Sequence, residues 1–195
     1  DNADVISVAQ EAGKSCVQVF FYRSKQNWGN QSYFPSHDKF HTEEEVLTSF
    51  VTQFYENKNV PAEILLNKKV KDLNLIKTAL EKKEKKFISI KIPTKGSALK
   101  LSKMAEKNAK EALTRKIFES ETNNKLLNEV SDKFKLDISP RLIEVYDNSH
   151  IQGSNSVGAL ITFGPEGFIK KQYRKFNIKN KELKAGDDYG MLKEV

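Results

Sequence analysis

With 195 residues, 38% hydrophobic and 30% charged, the chain can build one large domain or two small ones around a substantial core. No apolar run approaches the roughly 18 residues that cross a bilayer, and no basic start leads into an apolar signal segment, so the composition points away from the membrane. Lys+Arg 33 against Asp+Glu 26 gives +7 and a pI near 9.3, which favours an anionic partner, although a lysine-rich proteome of low GC content would produce the same excess.

The opening, DNADVISVAQEAG, has no initiator Met and reads as an internal segment of a longer protein. Residues 15–23, SCVQVFFYR, are β-rich, and residues 31–35 follow across a turn containing Gly29-Asn30, a hairpin pattern. The single cysteine, Cys16, cannot form an internal disulfide; beside Val17 and Val19 it reads as a buried strand residue, which fits a reducing cytoplasm. Thr42 with Glu45 three residues on forms a capping box, and Val46, Leu47, Phe50, Val51, Phe54 and Tyr55 recur at helical spacing. Residues 62–66 predict a short buried strand, 72–84 a second helix and 87–92 another strand, so the first half runs β-β-α-β-α-β, an α/β order.

Residues 97–116 predict an amphipathic helix with Leu101, Met104, Ala105, Ala109, Ala112 and Leu113 on its apolar side. Residues 95–116 hold seven basic and two acidic residues; a solvated face is the favoured reading and a DNA-facing ridge the alternative. The polar stretch 119–124 predicts a linker or break before a second helix over 126–134. After Pro140 three strands follow in succession, over 142–146, 156–163 and 168–178, with the hairpin turn Gly164-Pro165-Glu166-Gly167. A helix then starts with carboxylates at its N-terminus, over 189–195. The resulting division is 1–118 as an α/β segment without an acidic centre, 119–139 as a helical linker, and 140–195 as the beginning of a second, truncated α/β domain.

The chemistry concentrates in residues 142–154, LIEVYDNSHIQGS, read as a buried apolar strand ending on Asp147 with Ser149, His150 and Gly153 just beyond. An aspartate at a strand mouth is costly in a core and useful at a metal site. Asp188, preceded by Asp187, follows 41 residues after Asp147. Phosphodiester hydrolysis with hard Mg²⁺ or Mn²⁺ needs carboxylates converging from different elements, so Asp147 and Asp188 are candidate catalytic and metal-holding residues. From the residues alone a second reading stands beside it, in which Asp187 and Asp188 cap the helix and Asp147 the strand end. Asp187, His150 and Ser149 are candidate supporting residues, although for His150 a hydrogen bond within its turn is the commoner role. His37 and His41 lie four apart in a loop-like segment with no cysteine near, a poor zinc pattern. No Walker loop, nucleophile elbow or Rossmann glycine pattern is present, which removes nucleotide hydrolysis, acyl transfer and hydride transfer.

The motifs VYDNSHIQG, KKQYRKFNI and AGDDYGMLKEV, in that order and spacing, resemble the endonuclease half of the UvrC family, the excinucleases of bacterial nucleotide excision repair. ADVISVA, VQVFFYR, GNQSYFP and FYENKNVPAEILL resemble the segment preceding that domain, so the resemblance covers nearly the whole chain. It implies an RNase H-like fold with mixed sheets and flanking helices, and divalent-metal-dependent DNA incision 5′ to a lesion. It implies UvrB as a partner, with UvrA upstream in the pathway. It places the first catalytic carboxylate on Asp147 and the second on Asp188, with Asp187 the lesser candidate, and a third aspartate and a histidine beyond Val195. Two departures are Asn148 in place of a usually aliphatic residue and Gly190 in place of alanine. Arg174 and Lys175 are candidate DNA phosphate contacts, with a merely solubilising role as the alternative. A non-catalytic scaffold that docks DNA or UvrB is the competing function for the chain as it stands.

Overall fold

The computed structural model describes residues 2–151, 154–179 and 187–194, and the chain divides into two compact units, 1–116 and 117–195. In unit 1, strands β1 (Ala3–Glu11), β2 (Lys14–Arg23) and β3 (Gln26–Tyr33) form an antiparallel meander. Helix α1 (Glu43–Phe54) then leads to β4 (Glu63–Leu66), and helix α2 (Leu73–Glu84) to β5 (Ser89–Lys91). β4 pairs parallel with β1 and β5 parallel with β4, giving the sheet order β3-β2-β1-β4-β5.

The leading strand is therefore β1, not the SCVQVFFYR run, and it carries an acid, Asp4. Six consecutive β1 residues from Asp4 to Ala9 are buried, because the strand is central and covered on both faces. Such a strand has no alternating signature. On one face Ile6, Val8, Val17 and Val19 pack with Val46, Leu47, Val51 and Tyr55 of the α1 region; on the other Val5, Phe20 and Leu65 meet Ala105. Each fully buried aliphatic side chain contributes about 1.5–3 kcal/mol. Cys16 is buried as its neighbours suggest, and that burial pushes its thiol up to about 11, so it stays protonated at neutral pH.

The β1–β2 turn is Ala12-Gly13, both at positive φ (49° and 72°), and a Cβ on Gly13 would lie 2.9 Å from that of Lys39. The next hairpin turns at Ser24-Lys25 instead of Gly29-Asn30; Gly29, at φ 116°, sits where the β2–β3 register shifts opposite Phe20 and Tyr22. The capping box of α1 forms as its sequence dictates, Glu45 N–H donating to Thr42 and Thr42 N–H to the Glu45 carboxylate.

Helix α3 (Gly96–Phe134) runs unbroken for 39 residues across the division between the units. The expected break at 119–124 does not occur: the stretch is polar but holds neither Gly nor Pro, and its polar groups have partners in unit 2. Ser120 donates to the Glu166 carboxylate and Asn123 to the Pro165 carbonyl, docking the helix on a hairpin turn.

In unit 2, β6 (Ile143–Ile151) pairs antiparallel with β7 (Ser154–Gly164), which also pairs with β8 (Gly167–Phe168) and β9 (Arg174–Asn177). The expected third strand is thus interrupted by a 3-10 turn over Lys170–Gln172. Helix α4 (Asp188–Glu194) packs on β6 and β7. β6 does not stop at Asp147, since Asn148 and Ser149 continue the ladder against Gly158 and Val157. Nor is it buried: Val145 is 51% and Tyr146 44% exposed. Among the described residues no helix is long and apolar enough to cross a membrane.

Candidate functional site

Asp147 lies in the middle of β6, opposite Ala159, and its side chain is exposed. Among the described residues β6 is an edge strand, so one flank of its backbone is open. Asp188 is the first residue of α4 and is exposed as well. The two elements are joined directly beside Asp147: Asn148 Nδ2 donates to the Asp188 carbonyl at 3.3 Å. Strand alternation turns Asn148 and Asp147 to opposite faces. α4 therefore sits on the Asn148 side of β6, the face opposite Asp147.

The pair Asp187-Asp188 divides its roles. Asp187 accepts the Gly190 N–H at 2.9 Å, an N-terminal cap for α4. Among the described residues no hydrogen bond or ion pair engages the side chain of Asp188 or of Asp147. Among the described residues Asn148 Oδ1 is buried without a partner. Oxygen donors of this class suit hard cations such as Mg²⁺ or Mn²⁺. Among the described residues no three His, Cys, Asp or Glu side chains gather.

The two basic candidates separate by the same alternation. Lys175 pairs with Ala159, which pairs with Asp147, so Lys175 and Asp147 share a face with β7 between them. Two interstrand steps make that about 10 Å. Arg174 lies on the other face, and its guanidinium folds back to donate to the Lys171 and Tyr173 carbonyls at 2.9 and 2.8 Å. Ser149 is exposed on the Asp147 face, whereas the His150 side chain, Gly153 and the Ala185-Gly186 pair lie outside the described residues. His37 bonds Ser15 through Nε2 and the Asp38 carbonyl through Nδ1, which engages both ring nitrogens.

Unit 1 shows what the same hairpin looks like without this chemistry. Asp147 precedes the hairpin-closing residue Ile151 by four positions, as Ser7 precedes Glu11; counted across the strand through the β6 bulge, the counterpart is Ile6. Neither is acidic. Ser7 donates to the Ser102 carbonyl of α3, and Asn67, just after β4, both donates to the Val8 carbonyl and accepts its N–H, each at 2.9 Å. The one acid of β1 with a buried side chain, Asp4, is 1% exposed and held by Arg23 at 2.7 Å and the Tyr55 hydroxyl at 2.8 Å. Burial first, and then the Asp4 charge, push the Tyr55 phenol well above its ordinary value, so it remains a donor.

Sequence reasoning missed Asn67, which belongs to no motif, read Asn148 only as a departure from the family pattern, and missed Asp4, which β1 would have exposed had its continuous burial been recognised.

An antiparallel three-strand meander whose first strand is extended by two parallel strands through helices is an α/β arrangement of the RNase H-like class. Residues 2–116 match the family model described as UvrC Ribonuclease H-like domain, and residues 131–195 the one described as UvrC RNAse H endonuclease domain. The chain is 47% identical over its whole length to the UvrABC system protein C of Chelativorans sp. (strain BNC1), covering 30% of that protein. It is 49% identical, again over its whole length, to those of Bradyrhizobium diazoefficiens and Hyphomonas neptunium, covering 28% and 32% of them. The chain belongs to the UvrC family, and it spans roughly three tenths of the length of these relatives.

Proposed function

We propose that this chain is the central part of a nucleotide excision repair endonuclease, which cuts damaged DNA on the 5′ side of a lesion using a divalent metal. The observation that carries the reading is the match of residues 131–195 to an endonuclease domain in which Asp147 and Asp188 are exposed and unengaged while Asp187 serves as a cap. Asp147 and Asp188 are the carboxylates that would hold Mg²⁺ or Mn²⁺, with Asn148 tying α4 to β6 so that their backbones stay adjacent. A divalent cation held there would supply Lewis acidity toward the scissile phosphate and would lower the pKa of a bound water, so that loss of its proton gives a nucleophile for phosphorus. Lys175, on the Asp147 face, orients the phosphate backbone; Ser149 and His150 support the site. The working partners in this reading are DNA and UvrB, with UvrA acting before them, in the cytoplasm.

Two carboxylates fall short of a complete octahedral oxygen site. The 195-residue chain is accordingly expected to bind DNA weakly, in a salt-sensitive way, without cutting it. Unit 1 supports the scaffold reading for itself alone, because the positions matching Asp147 are Ser7 and Ile6 and its Asp4 is locked.

The test is 5′ incision of a lesion-bearing duplex by the full-length protein. Loss of several kcal/mol of metal-assisted stabilisation in Asp147→Ala or Asp188→Ala corresponds to about a thousandfold or more in rate. Wild-type incision by either variant in Mn²⁺ would remove the assignment.

A further inference from the structure

The whole excess positive charge of the chain belongs to the unit that lacks the acidic site. Residues 1–116 hold 21 Lys and Arg against 14 Asp and Glu, a net +7, while residues 117–195 hold 12 of each. Within unit 1 the charge is segregated again. Residues 1–67 carry 5 basic against 9 acidic residues, and residues 68–116 carry 16 against 5, a net of −4 against +11. The basic half consists of α2, β5, the first part of α3 and their connections. β5 is the edge strand, α2 packs on one face of the sheet through Leu80, and α3 on the other through Ala105.

Many lysines here are already committed. Lys68 pairs with Glu43, Lys71 with Glu45 and Lys110 with Glu106, and Lys83 donates to three carbonyls at the end of α1. Lys69, Lys82, Lys85, Lys95, Lys100 and Lys103 are different: all six are exposed, and none has an ion pair or hydrogen bond among the described residues. Lys82 and Lys85 lie where the chain enters β5, Lys95 where it leaves, Lys69 just past β4, and Lys100 and Lys103 three residues apart on the opening turns of α3.

We propose that this β5 edge of unit 1 is the surface on which the chain holds the phosphate backbone of duplex DNA. The choice of DNA rests on the endonuclease reading above; the existence of a polyanion surface does not. Uncommitted ammonium groups spread along an edge suit a line of evenly spaced phosphates, each contact releasing condensed counterions. An acidic protein partner would call for a desolvated aromatic or arginine anchor. The exposed aromatic here, Phe87, already carries the Lys77 ammonium 4.4 Å from its ring centre, and the single arginine of residues 68–116, Arg115, lies far along α3. Unit 1 would then anchor the duplex without reading it, leaving the charge-balanced unit 2 to supply the carboxylates.

The experiment measures affinity of the 195-residue chain for a labelled duplex of about 20 base pairs between about 50 and 200 mM salt. Six phosphate contacts give a log–log slope of about −5, a loss of about a thousandfold over that range. Lys95→Gln/Lys100→Gln/Lys103→Gln should lower the slope magnitude by about 2 to 3 and weaken binding more than about tenfold at the low-salt end. A control removing three exposed charges from unit 2, Lys125→Gln/Lys133→Gln/Lys170→Gln, should leave the slope within about 1 of wild type. Circular dichroism checks that both remain helical. Equal losses in the two triple variants, or no loss in the first, would overturn the proposal. So would tighter binding of poly-glutamate than of DNA with the same lysine dependence, which would identify an acidic protein surface. Incision does not enter this readout, so failure of the lysine test leaves the carboxylate assignment standing, and the reverse also holds.

Discussion

Asp4 and Asp147 both sit on the first strand of an antiparallel hairpin, and their surroundings give them opposite uses. Asp4 is buried, paired with Arg23 and bonded by Tyr55, so its charge is spent inside unit 1. Asp147 stands exposed on an edge strand and is left uncommitted by every described neighbour. The difference lies less in residue type than in what covers the strand. α1 and α3 close both faces of β1, whereas β6 keeps Val145, Tyr146 and Asp147 open. An acid on the first strand of a hairpin is thus structural where it has a paired cation and a buried donor, and available for chemistry where it has neither.

The sharpest way to break that contrast is Asp4→Ala. Removing Asp4 leaves the buried Tyr55 hydroxyl without its acceptor and the partly exposed Arg23 with only the Ala3 and Tyr22 carbonyls, a loss of about 3 kcal/mol in the unfolding of unit 1. A chemical denaturation midpoint close to wild type would show that Asp4 is not structural. Next in size, Asn67→Ala strips both bonds from the Val8 backbone and should cost about 1–3 kcal/mol. Denaturation of the variant reads it, and a change below about 0.5 kcal/mol would mean water replaces the amide. Asp187→Ala should cost α4 about 1 kcal/mol through its lost cap, seen as faster exchange of the Gly190 amide hydrogen. Unchanged exchange would return Asp187 to the catalytic candidates.

The smallest effect is set by pH. The Lys71 ammonium and then the Thr42 backbone N–H hold the Glu45 carboxyl down to about 2 from an ordinary 4.5. A depressed folded value means the contribution is fully present above about 4.5 and fades as pH falls toward 2. Glu45→Gln should flatten the acid limb of the unit 1 melting profile in that window and leave the rest alone. Because the pair lies at the surface, added salt should shrink the difference.

How far the sequence disclosed this molecule varied with how local the signal was. The capping box of α1, the buried Cys16, the β4 and β5 strands and the α4 start were legible because each depends on a few neighbouring residues. β1 was not legible, since a strand buried on both faces loses its alternation, and the meander was consequently read one strand short. The continuity of α3 through 119–124 was hidden for another reason: Ser120 and Asn123 find their acceptors more than 40 residues away in the β7–β8 turn. At the candidate site the residue types of Asp147 and Asp188 were plain, but their geometry was not. It depends on Asn148, a residue that looked only like a departure from the family pattern, bonding the first residue of α4.

In the proposed site Asp147 and Asp188 serve one divalent cation. Titrating Mn²⁺ into the isotope-labelled chain and following backbone amide broadening tests it directly. The amides of residues 147 and 188 should broaden together with one midpoint. Separate midpoints, or broadening at one carboxylate alone, would contradict a shared site.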